Sequence, residues 1–312
     1  MSSAQLTPAM AGILEGVRRL NRPPFYAMSV PEARAAYVAA TEVLELPRVP
    51  LARIEDFDLA ASDGTPLRAR LYANSHARLP VLLYLHGGGF TIGNFDTHDS
   101  LCRQLAFRSG AAVVALQYRL APEHRFPCAV LDAWEAMHWL TRSGHTLGLD
   151  GARLAVGGDS AGGTLAAVCA IHARDTGLSL RLQLLITPGT AAFAESASHQ
   201  RFASGFLLEA AGIEWFFNHY IDHGRRTDWR FAPLLADSVD TVAPACVLLA
   251  ECDPLVDEGV AYADRLRAAG VPVGLEIYRG VTHDFIKMGK VLEEAEAAQA
   301  LAAQALKAAF ER

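Results

Sequence analysis

The stretch Leu154-Ala155-Val156-Gly157-Gly158-Asp159-Ser160-Ala161-Gly162-Gly163 decides how the rest of this chain is read. It opens as a short apolar run, turns through glycines, and continues into Thr164-Leu165-Ala166-Ala167-Val168-Cys169-Ala170. That order predicts a strand, a tight turn with a serine at its apex, and a helix. Gly158-x-Ser160-x-Gly162 fits the G-x-S-x-G pattern of a nucleophile turn, which needs those flanking elements. Residues without a Cβ let strand and helix meet closely, and the start of the helix adds backbone N–H groups and a positive dipole end. Glycine-rich strand–helix turns also bind phosphate or simply pack. Other stretches must decide between these readings.

The first lies just upstream. Val81-Leu82-Leu83-Tyr84-Leu85 is a continuous apolar run, as in a strand buried on both faces. It leads into His86-Gly87-Gly88-Gly89-Phe90, whose successive glycines leave backbone N–H groups unshielded. In acyl transfer such groups, with the N–H of Ala161, hold the negative oxygen of a tetrahedral intermediate. A flexible turn or phosphate loop is the plainer reading. There is neither G-x-G-x-x-G spacing nor a Lys-Ser/Thr ending to favour phosphate.

A serine nucleophile needs a base and a carboxylate to orient that base. His283 follows the strand-like run 274–278 and the turn Arg279-Gly280-Val281-Thr282. Asp253 follows the strand-like run 245–250, within Glu251-Cys252-Asp253-Pro254-Leu255. Both sit where strands end at their C-terminal side, the place open α/β sheets gather reactive groups. Ser160, Asp253, His283 is also the chain order of an α/β-hydrolase triad. Competing clusters are weaker. Asp96-Thr97-His98-Asp99 stands where a helix begins, so Asp96 or Thr97 is expected to cap it. His219 and His223 are four apart and fit one helix face, but no third ligand is in view, so no metal is expected.

With these parts in hand, the chain resembles the bacterial hormone-sensitive-lipase-like esterases, the H-G-G-G branch of the α/β-hydrolases. The resemblance is carried by His86-Gly87-Gly88-Gly89-Phe90, Tyr118-Arg119-Leu120-Ala121-Pro122-Glu123-His124, Gly158-Asp159-Ser160-Ala161-Gly162-Gly163, Asp253-Pro254-Leu255 and His283. It implies an eight-stranded core, a helical cap and hydrolysis of short-chain esters without a cofactor. It further implies Ser160 as nucleophile, His283 as base and Asp253 as its partner. Gly88, Gly89 and Ala161 become oxyanion donors, and His86 a loop-bracing residue. The family also often dimerises through its edge strand and final helix, which makes a homodimer the expected assembly. Two departures stand out. His283-Asp284-Phe285 replaces the usual His-Gly-Phe: pointing inward, the Asp284 carboxylate would raise the pKa of the base or reach the leaving group, but its expected role is to cap the final helix; and Thr187-Pro188 replaces an aromatic-Pro pair.

Alternating strand-like and helix-like segments from Ile54 onward predict an α/β fold with a mostly parallel sheet and helices on both faces. The strand-like runs are 54–59 and 67–72 around Ser62-Asp63-Gly64, then 81–85, 112–116, 153–156, 180–186, 245–250 and 273–278. Helices are expected at 97–108, 130–142, 164–174, 256–269 and 290–310. Residues 1–50 hold two further helices. The first carries an apolar stripe of Met10, Ile13, Leu14, Val17 and Leu20, and the second opens at Ser29 with Pro31 and Glu32. Residues 188–230 contain no strand-like run but many aromatics, among them Phe193, Phe202, Phe206, Trp215, Phe216 and Tyr220. The expected division is therefore a cap from 1–50 and 188–230 over a catalytic core of 51–187 and 231–312.

Bulk properties bound the function. The 312 residues carry a net charge of −6, with no basic run to meet nucleic acid. No apolar stretch is long enough to span a bilayer, and the first residues lack a signal-like pattern. Five cysteines without C-x-x-C spacing read as free thiols, so the cytoplasm is the expected compartment. A small acyl ester is the expected substrate. Amide or carbamate cleavage and acyl transfer use the same triad and stay open, as does a ligand-binding role without turnover.

Overall fold

Strands with apolar residues on both faces build the middle of one sheet, and this is why it needs helices on both sides. A computed structural model describes residues 5–61 and 63–312. The strands are β1 (Arg53–Ala60), β2 (Pro66–Ala73), β3 (Leu79–Leu85), β4 (Ala112–Leu116), β5 (Leu149–Asp159), β6 (Gln183–Ile186), β7 (Ala245–Cys252) and β8 (Val273–Thr282). They form one eight-stranded sheet in the order β1-β2-β4-β3-β5-β6-β7-β8. Only β2 runs against its neighbours β1 and β4; every other pairing is parallel. Of the expected turn at Ser62-Asp63-Gly64, Ser62 lies outside the described residues. Beside it, Gly64 adopts φ 81° and Asp63 accepts from the Thr65 N–H at 2.9 Å.

The helices are α1 (Pro8–Leu20), α2 (Val30–Thr41), α3 (Asp99–Ser109), α4 (Cys128–Ser143), α5 (Ala161–Asp175), α6 (Ala197–Arg201), α7 (Ala210–Tyr220), α8 (Val256–Ala268) and α9 (Glu293–Phe310). Two cores lie on the two faces of the sheet. Val81, Leu83 and Leu85 of β3 face one core, with side chains of α4, α5 and α8. Leu82 and Tyr84 face the other, with α1, α3 and α9. The alternation along a single strand thus feeds both.

A third, small cluster joins α2 to α7: Ala33 and Tyr37 meet Ile92 and Phe216, flanked by Phe25, Met28 and Trp215. Ser29 opens α2 with a full capping box to Glu32, as its sequence pattern predicts. The apolar stripe of α1 is only half used. Met10 and Leu14 are buried in the second core, whereas Val17 and Leu20 are exposed.

Several boundaries shift. The strand expected at 180–186 begins at Gln183, and the final helix starts at Glu293 rather than near 290. His223 falls in a separate short 3-10 turn after α7, so it does not continue the helical face of His219. Among the described residues no helix is long and apolar enough to cross a membrane.

Candidate active site

Ser160 sits between the last residue of β5 and the first of α5 with φ 53° and ψ −123°. A non-glycine residue at such angles is strained, and the surroundings must hold it there. They do so by crowding: a Cβ at Gly158 or Gly162 would collide with the carbonyl oxygen of Leu85 at the end of β3. The Ser160 N–H donates to the Ile186 carbonyl at 2.8 Å, tying the turn to β6. The glycines of the pattern are therefore explained by the approach of β3, and the serine side chain is left facing outward.

His283 Nε2 lies 2.9 Å from Ser160 Oγ, and His283 Nδ1 lies 2.7 Å from Asp253 Oδ2. The other Asp253 oxygen accepts from the Leu255 N–H at 2.9 Å, which fixes the carboxylate in plane. Asp253 and His283 are 1% and 5% exposed, so their interaction is poorly screened. Burial alone would push the His283 ring down. The field and hydrogen bond of Asp253, with help from Asp284 and Asp159, leave it raised to about 9. The three residues predicted to act together are thus joined in one hydrogen-bonded chain.

The glycine loop follows β3. Gly88 and Gly89 have φ 117° and 56°, and the Gly88 carbonyl is tied back by the N–H groups of Thr91 and Ile92 at 3.0 and 2.9 Å. Among the described residues none accepts from the N–H of Gly88, Gly89 or Ala161. Phe216 of α7 lies so close over Gly89 that a Cβ there would strike its ring. The Gly87 N–H is different: it donates to Asp159 Oδ1 at 3.1 Å.

His86 Nδ1 reaches the Gly87 carbonyl at 2.8 Å, and its ring stacks on Tyr118 at 4.4 Å between centroids. The Tyr118 hydroxyl donates to the His86 carbonyl at 2.7 Å. Burial, reinforced by nearby His98, pushes the His86 pKa down to about 3, so the ring is neutral. The rest of the 118–124 motif is structural too. Arg119 forks onto the fully buried Asp132, and Glu123 receives both terminal nitrogens of Arg34 from α2, at 2.9 and 2.7 Å. Arg34 also donates to the carbonyls of Thr91 and Ala121.

Two residues carry more than their sequence context suggests. Asp159, buried beneath the serine turn, accepts from the Tyr84 hydroxyl at 2.6 Å and lies 3.1 Å from His98 Nε2. Burial opposes its ionisation, but His98, Lys287 and the Tyr84 hydrogen bond hold it well below the usual carboxylate range. His98 occupies the N-cap position of α3 without capping it, and neither Asp96 nor Thr97 caps that helix. Thr97 instead closes a loop with Asn94. Asp284 likewise does not cap the final helix, which begins nine residues later; it stands at φ 65° ahead of a short 3-10 turn, 3.7 Å from Lys287 Nζ.

Thr187 keeps an unusual φ of 41° and gives its N–H to the Leu248 carbonyl. Beyond it, Thr190 donates its N–H to the buried Glu258. No group of three or more His, Cys, Asp or Glu among the described residues is arranged to hold a metal ion. All five cysteines are free thiols.

Known proteins match this architecture closely. A family profile described as alpha/beta hydrolase fold matches residues 82–287. An ethyl acetate hydrolase of Pseudomonas putida is 43% identical over 290 residues, covering 91% of each chain. The esterase LipI of Mycobacterium tuberculosis is 39% identical, covering 80% of this chain and 81% of its own. The crystal structure of an alpha/beta hydrolase enzyme from the metagenome of Lake Arreo, solved as a serine-to-alanine mutant, superposes with a TM-score of 0.94 at 38% identity over 99% of both chains. The chain belongs to the α/β-hydrolase family, in its hormone-sensitive-lipase-like branch of carboxylic ester hydrolases.

Proposed function

We propose that the protein is a serine carboxylesterase that hydrolyses short- to medium-chain acyl esters through an acyl-enzyme intermediate. Ser160 is the nucleophile, His283 the general base and then acid, and Asp253 the group that orients and stabilises the imidazolium. The observation that carries this reading is the hydrogen-bonded chain Ser160–His283–Asp253, at 2.9 and 2.7 Å.

The Ser160 hydroxyl gives its proton to His283 Nε2 as Oγ attacks the ester carbonyl. The Gly88, Gly89 and Ala161 N–H groups take the oxyanion, and one such donor contributes roughly 10²–10³ in rate in a known serine hydrolase. His283 then protonates the departing alcohol, and water activated by the same nitrogen releases the acid. In this reading residues 1–50 and 188–230 cap a core of 51–187 and 231–312, and the contact of Phe216 with Gly89 gives the cap an apolar wall beside the oxyanion loop. A confined apolar site favours small acyl groups. A relative named for ethyl acetate hydrolysis supports the same preference.

The deciding experiment is labelling of the folded protein with a fluorophosphonate probe, followed by peptide mapping. The modified peptide is expected to carry the probe on Ser160, and labelling is expected to vanish in His283→Ala. A folded protein that stays unlabelled, or is labelled elsewhere, contradicts the assignment. Matched p-nitrophenyl ester and p-nitroanilide substrates separate ester from amide cleavage, with the ester expected to turn over faster.

A further inference from the structure

An amide N–H cannot be aimed independently of the carbonyl in front of it. The atoms of a peptide unit are coplanar and trans, so the N–H of one residue points opposite to the C=O of the residue before. Whatever grips the Gly87 and Gly88 carbonyls therefore aims the N–H groups of Gly88 and Gly89. The Gly87 carbonyl is met by His86 Nδ1 at 2.8 Å. The Gly88 carbonyl accepts from the N–H groups of Thr91 and Ile92, and the Gly89 carbonyl accepts from the Thr91 hydroxyl at 3.1 Å. Thr91 thus grips two of the three glycine carbonyls.

Thr91 is fully buried, and its own carbonyl accepts from Arg34 Nε of α2 at 2.9 Å. A terminal nitrogen of the same guanidinium donates to the Ala121 carbonyl at 2.9 Å, and the Ala121 N–H donates to the Phe90 carbonyl at 2.8 Å. Arg34 thereby closes a ring through residues 90, 91 and 121, next to the glycines in sequence. Ala33 and Tyr37, its neighbours on α2, pack on Ile92 and Phe216, so the helix that bears the guanidinium lies against the same loop.

We propose that Arg34 is a positioning residue for the oxyanion loop: through the Thr91 carbonyl it fixes the peptide unit that carries the Gly89 N–H. This rests on the serine-hydrolase reading above. Glu123 neutralises the guanidinium, and the two bonds to backbone carbonyls, not the ion pair, do the positioning. A loop of the sheet is in this way completed by a helix of the N-terminal segment, and turnover depends on α2 being docked.

A misplaced donor weakens binding of the tetrahedral oxyanion and leaves binding of the planar ester much as it was, so the loss falls on kcat rather than KM. Arg34→Ala is expected to lower kcat for p-nitrophenyl acetate by about 10- to 100-fold, with KM within about threefold of wild type. Butyl trifluoromethyl ketone gives a readout that needs no turnover. Ser160 Oγ adds to its carbonyl carbon, the Ser160 proton passes to His283, and the C=O electron pair becomes the oxyanion. The ketone is expected to bind Arg34→Ala more weakly by the same factor by which kcat/KM falls, which a loss of stability alone would not produce. Glu123→Gln removes the ion pair and keeps both carbonyl bonds, and is expected to stay within about threefold of wild type. If Arg34→Ala melts too low to assay, Arg34→Met keeps the aliphatic stem and carries the same expectations.

A folded Arg34 variant with wild-type kcat/KM overturns the proposal, as does a loss confined to KM or one that the ketone's affinity does not mirror. An equal loss in Glu123→Gln would put the ion pair in charge and overturn it too. A wild-type protein that neither hydrolyses ester nor binds the ketone would refute the serine-hydrolase reading instead, and with it the donors that Arg34 positions.

Discussion

The molecule contains two hydroxyl–imidazole–carboxylate chains, one on each side of the same backbone step. Ser160, His283 and Asp253 form the first, at 2.9 and 2.7 Å. Thr97, His98 and Asp159 form the second: Thr97 Oγ1 lies 2.9 Å from His98 Nδ1, and His98 Nε2 lies 3.1 Å from Asp159 Oδ2. In connectivity they are alike, and their carboxylates belong to the loop after β7 and to the residue directly before Ser160. Their surroundings differ. The Thr97 hydroxyl is fully buried and donates to the Asn94 carbonyl at 2.8 Å while accepting the Asn94 N–H at 2.9 Å. Its contacts are thus taken up by Asn94 and His98. Ser160 stands half-exposed on a strained turn beside three backbone donors that nothing in the described protein uses. A trio of side chains is thus a scaffold or a reaction centre according to what lies beyond its hydroxyl.

The largest contrast is expected from removing the two hydroxyls. Ser160→Ala is expected to lower kcat for p-nitrophenyl butyrate by about 10⁴-fold or more, while its melting temperature holds, because only a hydroxyl is removed and the Cβ and backbone of the turn stay as they are. Thr97→Val removes the bonds to Asn94 and His98, at a stability cost of about 1–3 kcal/mol, with kcat within a few-fold of wild type. Parallel activity and thermal-denaturation measurements on both variants check this. Loss of activity in a folded Thr97→Val protein would break the distinction.

The carboxylates sharpen it next. Asp253→Asn leaves geometry but misplaces the imidazole proton, and is expected to cost about 10⁴-fold in kcat by analogy with other triads. Asp159→Asn is expected to cost roughly tenfold or less, since it shifts an oxyanion loop rather than removing a donor. Its main effect is on stability, about 3 kcal/mol, because Tyr84, His98 and the Gly87 N–H lose a buried anion. The pH dependence has a definite sign. Asp159 is held below the unfolded carboxylate value of about 3.9, so its contribution is complete above that pH and is lost as the pH falls toward the folded value. Melting temperatures taken from pH 6 downward should therefore fall more steeply below about pH 4 in wild type than in Asp159→Asn.

The same contrast explains what could be read from the sequence. Ser160, Asp253 and His283 each follow a strand with a recognisable apolar run, and their order alone suggests partnership. The sheet, the glycine loop and the capping box at Ser29 are local patterns of the same kind. His98 and Asp159 are joined only by folding: one precedes α3, the other ends β5, and no spacing links them. Asp284 was expected at a helix start because a long alanine-rich run follows. The chain first makes a 3-10 turn, and Lys290 gives its N–H to the Leu44 carbonyl before α9 begins. Val17 and Leu20 continue a helical stripe whose periodicity is clear, but periodicity does not say how much of a stripe is covered, and both are exposed. Local patterns, and the partners that strand ends and chain order announce, were legible; partners joined only by the packing of unrelated segments were not.

The smallest expected effect is the most pointed. Thr97→Ser in a Ser160→Ala background leaves a literal Ser–His–Asp chain inside the protein. It loses one buried methyl, about 1 kcal/mol of stability, and gains the residue types of a serine hydrolase. No labelling by a fluorophosphonate and no ester turnover above the Ser160→Ala level are expected. The new hydroxyl would still be committed to Asn94, shielded from solvent, and without donors for an oxyanion. Measurable labelling at position 97 would mean that the hydrogen-bonded trio suffices on its own, and that the strained turn and open N–H groups around Ser160 contribute little to its reactivity.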